Sequence, residues 1–308
     1  MFVNVPIGLA LVATAMVVLG ASPRQRVPFD LAGALTSTLG VTGVVYGFVN
    51  AASHGWTDGA TVAAFAAGLA LLATFVQVER RAVSPITPLE LFRDRSRSGA
   101  LVGRMLLVAG MTGMFFFLTQ FLQDVLGYSP LQTGLGFLPI SVSLFLASQT
   151  SARVLVERFG ARLVMAAGIT LSTLGLLWLT RITESSTYLS VLGPLVLVGL
   201  GNGSAFVPLT GSALHGVRPE HAGAASGLTN VMQQIGAALG LGVLVNVFGV
   251  ASRRDGAVLR GASAAEQAQH TFVVGAQSAF LVATLLLVGT LVVVLAAVGR
   301  PTSRTVTG

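Results

Sequence analysis

The chain has 308 residues, of which 53% are hydrophobic and only 9% are charged. A soluble domain carries charge on roughly 25% of its residues, so this composition excludes an ordinary soluble globular protein. The sequence contains no cysteine, which excludes disulfides, thiolate metal sites and cysteine nucleophiles. None of the four histidines has a partner at metal-ligand spacing, so we expect no metal and no other cofactor.

Nine long apolar stretches dominate the sequence. Each approaches or exceeds the ~20 residues that a helix needs to cross a hydrocarbon core of ~30 Å. Such a segment must satisfy its own backbone hydrogen bonds in lipid, so each is predicted to be a helix. The fold class is therefore all-α, a polytopic transmembrane helical bundle that contacts the lipid bilayer. The predicted spans are residues 2–20, 31–50, 60–78, 99–121, 131–152, 163–180, 188–214, 222–250 and 272–298.

Arginine supplies all 18 basic residues, and its placement predicts the orientation of the chain. Arginines lie mainly in the connections after the odd-numbered spans and in the C-terminal tail, and cytoplasmic loops carry such an excess. The N-terminus is therefore predicted to lie outside and the C-terminus in the cytoplasm. The connection after the eighth span also carries arginines, but the rule weakens for long loops. The net charge of the chain is +7. Because the positive residues alternate from loop to loop, they indicate membrane topology and not binding to nucleic acid.

The order of the spans suggests an organisation in sections. Residues 1–20 form an uncharged span with nothing before it, so we infer that the natural domain is longer and that its N-terminal part is missing here; a true nine-helix protein is the alternative. Residues 21–98 hold two spans and a charged cytoplasmic connection. Residues 99–300 hold six spans, the size of one transporter half built from two inverted triplets, and residues 301–308 form a cytoplasmic tail.

A faint internal repeat supports the two triplets. Residues 110–119 read GMTGMFFFLT and residues 201–210 read GNGSAFVPLT. In both segments a glycine is followed five residues later by Phe, and both end in Leu-Thr. These segments would belong to the first helix of each triplet.

Charged side chains are almost absent from the middle of the spans. No Asp or Glu lies there, so Asp124, at the outer end of the fourth span, is the nearest candidate for proton coupling; a solvated charge at a helix end is the alternative. Arg104 is the one basic residue clearly within a span. Its side chain could snorkel to the cytoplasmic interface or face a central cavity.

Several uncharged side chains are further candidates for a substrate cavity. Amides can line a cavity without charge, but they can equally form hydrogen bonds between helices. Flexible Met and flat aromatic side chains suit promiscuous apolar ligands, although packing or lipid contact is the alternative. The candidates are Gln120, Gln123, Asn202, Asn230 and Gln233 among the amides, and Met114 and Phe116 among the apolar residues.

Four segments together resemble a known family. They read FVNVPIG (residues 2–8), FLQDVLGYSPLQTGLGFLP (121–139), VLVERFGARLV (154–164) and GAASGLTNVMQQIGAALG (223–240). The sequence is similar, over essentially its whole length, to the fourteen-helix drug:proton antiporter branch of the major facilitator superfamily. The resemblance implies that residues 1–20 correspond to helix six, residues 21–98 to the two helices that join the halves, and residues 99–300 to the C-terminal bundle.

The resemblance also implies a cytoplasmic gating motif. Glu157, Arg158, Gly160 and Arg162 match the superfamily motif between the second and third helices of a half. Glu replaces the usual Asp, the leading Gly is absent or displaced, and Leu163 stands where a second basic residue is common. A carboxylate beside an arginine at a helix end could form a charge-assisted latch; the alternative is positive-inside charge alone.

The expected function is therefore secondary active transport and not enzyme catalysis. As part of a longer protein, the chain would serve proton-coupled efflux of small hydrophobic, cationic or antibiotic-like compounds by alternating access. The resemblance implies a bacterial plasma membrane, a monomer at full length, and coupling carboxylates mainly in the N-terminal half. Two alternatives stay open, an uptake permease for a small metabolite and a non-transporting membrane fragment that needs a separate N-terminal half.

Overall fold

The computed structural model describes residues 4–18, 30–82, 85–255 and 263–299. The described residues form helices and connections without a β-strand, which confirms the all-α prediction. The helices are α1 (Asn4–Val18), α2 (Leu31–His54), α3 (Gly59–Arg81), α4 (Arg95–Gln120), α5 (Pro130–Gly136), α6 (Leu138–Thr150), α7 (Val156–Phe159), α8 (Ala161–Leu179), α9 (Tyr188–Leu214), α10 (Ala222–Asp255) and α11 (Ala264–Ala297).

Within the described ranges, eight helical segments are long and apolar enough to cross a membrane. They correspond to the second to ninth predicted spans. The first predicted span is described only over Asn4–Val18, whose 15 residues fall short of that length. Its two ends, the arginines that follow it and the tail at 301–308 lie outside the described residues.

The fourth and fifth predicted spans contain irregular turns. The helix of α4 continues into a π-helical turn at Phe121–Val125, and α5 begins with a capping box in which Ser129 and Gln132 satisfy each other's backbone amides. Pro130, at the start of α5, removes an amide that would have had no helical partner. The fifth span is therefore built from α5, α6 and α7, and a second π-helical turn at Ser151–Leu155 joins α6 to α7.

The last two helices are longer than hydropathy predicts. α10 and α11 each have 34 residues, so most of the connection expected over residues 252–270 is helical. Ser263 and Glu266 form a capping box that starts α11 well before its apolar stretch. The arginines Arg253 and Arg254 lie in the last turn of α10, where cations interact favourably with the helix dipole.

The packing of the six spans from α4 to α11 has an internal two-fold pattern. The first helix of one triplet, α4, packs against α10 and α11 of the other triplet. The first helix of the second triplet, α9, packs in the same way against α6 and α8. This reciprocal arrangement is consistent with the repeat at 110–119 and 201–210, and the inverted relation of the two triplets stays a prediction.

Glycines allow the helix backbones of this bundle to approach closely. A Cβ on Gly168 of α8 would lie 2.6 Å from the carbonyl oxygen of Gly201 and 2.9 Å from the amide of Ala205 on α9. In lipid, such close packing replaces the hydrophobic driving force between helices. Gly168 and Gly201 are therefore needed for the close packing of α8 against α9.

The hairpin of α2 and α3 lies beside the bundle and contacts it through α2 and α10. At its cytoplasmic end the buried carboxylate of Glu79 accepts hydrogen bonds from the amides of Ile86 and Thr87, at 3.1 and 3.2 Å. Farther along the same connection, Glu90 forms a 2.7 Å salt bridge with Arg218, which follows α9 in the bundle. These contacts fasten the charged connection to both the hairpin and the bundle.

Candidate functional site

Arg104 lies inside the helical bundle. It is the tenth residue of α4, about 14 Å from the cytoplasmic end of the helix at 1.5 Å per residue. Only 5% of its surface is exposed. The guanidinium is held among three helices, which favours the alternative of a side chain inside the bundle over one that snorkels to the interface.

On one side Arg104 contacts α10. Its Nη2 donates a hydrogen bond to Oε1 of Gln233 over 2.7 Å. This contact depends on α10 packing closely against α4, since a Cβ on Gly236 would meet the carbonyl oxygen of Met105 and one on Gly240 would meet the backbone of Ala109. The glycines thus bring Gln233, one turn earlier, within reach of Arg104.

On the other side Arg104 contacts α9. Its Nη1 donates to the hydroxyl of Thr210, and its guanidinium carbon lies 4.0 Å from the centre of the Phe206 ring. The Thr210 hydroxyl donates its own proton to the carbonyl oxygen of Phe206 over 2.8 Å, which leaves its lone pairs free to accept. A cation over an aromatic face gains a further electrostatic contribution.

The partners of Arg104 are all uncharged. Among the described residues no carboxylate forms a salt bridge with Arg104, and its Nε is buried without a hydrogen-bond acceptor. An arginine at the centre of a membrane helix costs about 2.5–3.5 kcal/mol on insertion scales. The site therefore holds an uncompensated positive charge that amide and hydroxyl dipoles only partly stabilise.

Asn202 extends this site along α9. It precedes Phe206 and Thr210 by one and two turns, so the three side chains lie on one face of the helix. The amide oxygen of Asn202 is buried, and no donor among the described residues reaches it. This face of α9 thus extends from the contacts with Arg104 to the amide oxygen of Asn202, near the middle of the helix.

Asn230 lies apart from Arg104, in a cleft between α2 and α10 of about 540 Å³. Gln233 turns toward Arg104, whereas Asn230 and Gln234 face the cleft. The cleft has polar side chains from both helices: Ser37, Thr38, Thr42, Asn230 and Gln234.

The candidates of the outer half of α4 do not form one site. Met114 is fully buried in the hydrophobic core, so it is not part of a cavity in this arrangement, whereas Phe116 is 41% exposed. Gln120 donates to the carbonyl oxygen of Phe116, one turn earlier, and Gln123 is half-buried. Asp124 is exposed on the π-helical turn, and its role in proton coupling stays a prediction.

The predicted cytoplasmic motif surrounds the junction of α7 and α8. Gly160 has φ +80° and joins the two helices, a conformation that favours glycine. Arg162 donates to the carbonyl oxygen of Leu295 near the end of α11, and the guanidinium of Arg158 lies 5.6 Å from the Phe159 ring centre. Within the described part of the chain, neither Glu157 nor Arg158 forms a salt bridge, so the latch stays a prediction.

Comparison with known proteins decides the family. The sequence matches the Major Facilitator Superfamily over residues 2–241. The chain belongs to this family. This confirms the predicted resemblance, and together with the eight apolar helical segments it makes the chain a multi-pass protein of a bacterial inner membrane.

The most similar relatives include named exporters and resistance proteins. The cephamycin export protein CmcT of Amycolatopsis lactamdurans is 40% identical over 255 residues, which are 81% of this chain and 52% of the relative. The puromycin resistance protein pur8 of Streptomyces alboniger is 34% identical over 80% of this chain and 50% of its own length. The multidrug resistance protein Stp of Mycobacterium tuberculosis is 35% identical over 80% of this chain and 46% of its own length. The chain spans about half the length of these curated relatives.

Sequence reasoning missed Phe206 and Thr210 as parts of the site. A usable signal was present, because the internal repeat at 201–210 contains both residues. Their role became visible only when the packing placed Arg104 of the other triplet against them.

Proposed function

We propose that this chain is part of a secondary active transporter that exports small hydrophobic drugs or antibiotics in exchange for protons. The observation that carries the proposal is the junction around Arg104, a buried charge where α4, α9 and α10 meet. Ionisable groups at membrane depth are costly and typically mark a transport pathway. The names of the relatives favour efflux over an uptake permease.

The proposal gives each section of the chain a role. Residues 1–20 are the last helix of an N-terminal bundle, residues 21–98 link the two halves, residues 99–300 are the C-terminal bundle, and residues 301–308 are a cytoplasmic tail. The transport pathway then runs along the face formed by Asn202, Phe206, Thr210, Gln233 and Arg104. The two bundles would rock around this face in alternating access.

The remaining parts of the proposal concern coupling and gating. Protons would bind mainly to carboxylates of the N-terminal half, because Asp124 is exposed at the outer end of the bundle. The cytoplasmic motif, with Arg162 already bound to the end of α11, would stabilise one conformation through Glu157 and Arg158. The complete protein acts as a monomeric carrier and catalyses no reaction.

The test is transport into inside-out membrane vesicles, where efflux appears as uptake. Vesicles containing the complete gene product are energised with an inward-acidic proton gradient and supplied with radiolabelled puromycin and a panel of hydrophobic dyes. We expect accumulation of at least one compound, and its collapse on addition of a protonophore. Accumulation that a protonophore leaves unchanged would refute proton coupling.

The same vesicles test the alternative of a non-transporting fragment. Vesicles containing only this 308-residue chain are compared at equal protein content. We expect no proton-dependent accumulation, because the proposed pathway lies between two bundles. Uptake equal to that of the complete protein would show that this chain is sufficient, contrary to the proposal.

A further inference from the structure

The charge balance along the proposed pathway is one-sided. All 11 acidic residues of the sequence lie outside the central part of the spans, whereas Arg104 is buried well inside α4. A guanidinium stays protonated in proteins, so this positive charge is permanent. A cationic compound that reached this face would therefore meet repulsion and no counter-charge from the described residues.

The guanidinium also has unused hydrogen-bonding capacity. Arginine carries five N–H donors, and the hydrogen bonds to Thr210 and Gln233 use two of them. The Nε of Arg104 is buried without an acceptor. Burial of an unsatisfied donor is unfavourable, and a carboxylate is the acceptor that matches the planar fork of arginine best.

We propose that Arg104 recognises an anionic group, typically a carboxylate, on the exported hydrophobic compound. Phe206 and the other apolar residues nearby would contact the body of the compound, and Gln233 and Thr210 would hold the guanidinium in place. The proposal rests on the proposed export function and replaces the expectation of cationic substrates with one of anionic, hydrophobic substrates.

The test uses a matched pair of probes, a hydrophobic fluorescent dye with one free carboxylate and its neutral methyl ester. Uptake of each is measured in inside-out vesicles that contain the complete protein. We expect wild type to prefer the carboxylate dye, and Arg104→Gln to lower its uptake about tenfold relative to the ester, the size expected for loss of a charge-assisted hydrogen bond. Arg104→Lys, which keeps the charge, should retain part of the preference, and exposed Arg181→Gln should keep all of it.

The outcomes separate this inference from the export function. Uptake of the ester but not of the carboxylate dye by wild type would overturn the inference and leave export intact. A loss of both dyes to the same extent in Arg104→Gln would overturn it too, because the anion would then be a group of the protein or of a lipid. If Arg104→Gln does not reach the membrane, Arg104→Lys takes its place, and a dye ratio equal to that of wild type would count against recognition by the guanidinium. Failure of wild type to transport either dye or puromycin would refute the export proposal itself.

Discussion

The helices α4 and α9 hold equivalent places in the bundle but differ in chemistry. Each is the first helix of a triplet and packs against the second and third spans of the other triplet. The equivalence extends to single hydrogen bonds, since Thr119 donates to the carbonyl oxygen of Phe115 over 2.6 Å, as Thr210 does to Phe206 over 2.8 Å. Yet only the α9 pair contacts an arginine.

The internal repeat places Leu195 of α9 where α4 has Arg104. Leu195 is fully buried in the hydrophobic core. The backbone packing is therefore symmetric, whereas the charge is present only in the cytoplasmic half of the bundle. The comparison shows that the repeat supplies a scaffold and that a few polar substitutions in one triplet supply the candidate site.

The most severe test of this difference is to make the two helices alike. Leu195→Arg would bury a second charge without the glutamine and threonine that hold Arg104, and we expect a loss of stability above about 3 kcal/mol. Leu195→Met keeps the volume and should cost less than about 1.5 kcal/mol. The stability of both variants is measured by the amount of protein in the membrane and by thermal unfolding in detergent. Wild-type stability of Leu195→Arg would contradict a specific charge site.

The shared packing can be tested at a glycine. Gly201→Ala would direct a methyl group at the carbonyl oxygen of Gly168, and such overpacking typically costs about 1–3 kcal/mol. In the same helix, a Cβ on Gly211 would have no atom within 4 Å, so Gly211→Ala should be neutral or stabilising because alanine favours the helix. The two melting temperatures measure the difference, and equal values would contradict close packing of α8 and α9.

The charged junction itself can be weakened from α10. Gln233→Leu removes an acceptor of Arg104, and we expect a loss of about 1.5–3 kcal/mol, typical for a hydrogen bond to a charged group. The neighbouring Gln234→Leu changes an exposed side chain and should stay within about 0.5 kcal/mol of wild type. Chemical or thermal unfolding of both variants gives the comparison. A larger loss of stability in Gln234→Leu than in Gln233→Leu would mean that α10 packs against α4 in a register different from the one in this structure.

The smallest effect is expected at the outer end of the bundle, where Glu184 lies 2.6 Å from a ring nitrogen of His270. A hydrogen bond to its own backbone amide and the contact with His270 lower the pKa of Glu184 from its usual 4.5. The ionised Glu184 carboxylate therefore stabilises the folded protein above pH 4.5, and this stabilisation is lost as the pH falls through the lower folded-state pKa. Because the Glu184 side chain is 41% exposed, we expect this contribution to the free energy of unfolding to be at most about 0.5 kcal/mol.

Unfolding of Glu184→Gln and wild type at two pH values measures this contribution. The two proteins should differ at pH 7, and the difference should shrink as the pH falls below 4.5. A difference that persists or grows at pH 3 would contradict an ionised Glu184 as the stabilising form.

The sequence was sufficient to locate the second to ninth spans, but not their exact ends or the contacts of the site. Arg104 and Gln233 were both predictable as unusual polar residues in apolar helices. Their contact was not, because it depends on the register that Gly236 and Gly240 set between α10 and α4. Hydropathy also cannot separate Met114 from Phe116, which have similar apolar character but opposite burial.

The helix ends show a signal that the hydropathy analysis overlooked. The early start of α11 was readable as Ser263 followed by Glu266, the pattern of a capping box. The ends of α10 and α11 were misjudged because charged residues at a helix terminus lower the hydropathy without ending the helix. Local capping rules would therefore have corrected these boundaries from the sequence alone.

The central claim is that the face of α9 that leads to Arg104 lines the transport pathway, and single-cysteine labelling tests it most directly. This chain has no cysteine, so Asn202→Cys introduces a single reactive site in it. We expect a saturating exported compound to slow its labelling by a small maleimide in the complete protein, and to leave Leu285→Cys unchanged, since Leu285 lies exposed on α11. Labelling of Asn202→Cys at the same rate with and without the compound would contradict the claim.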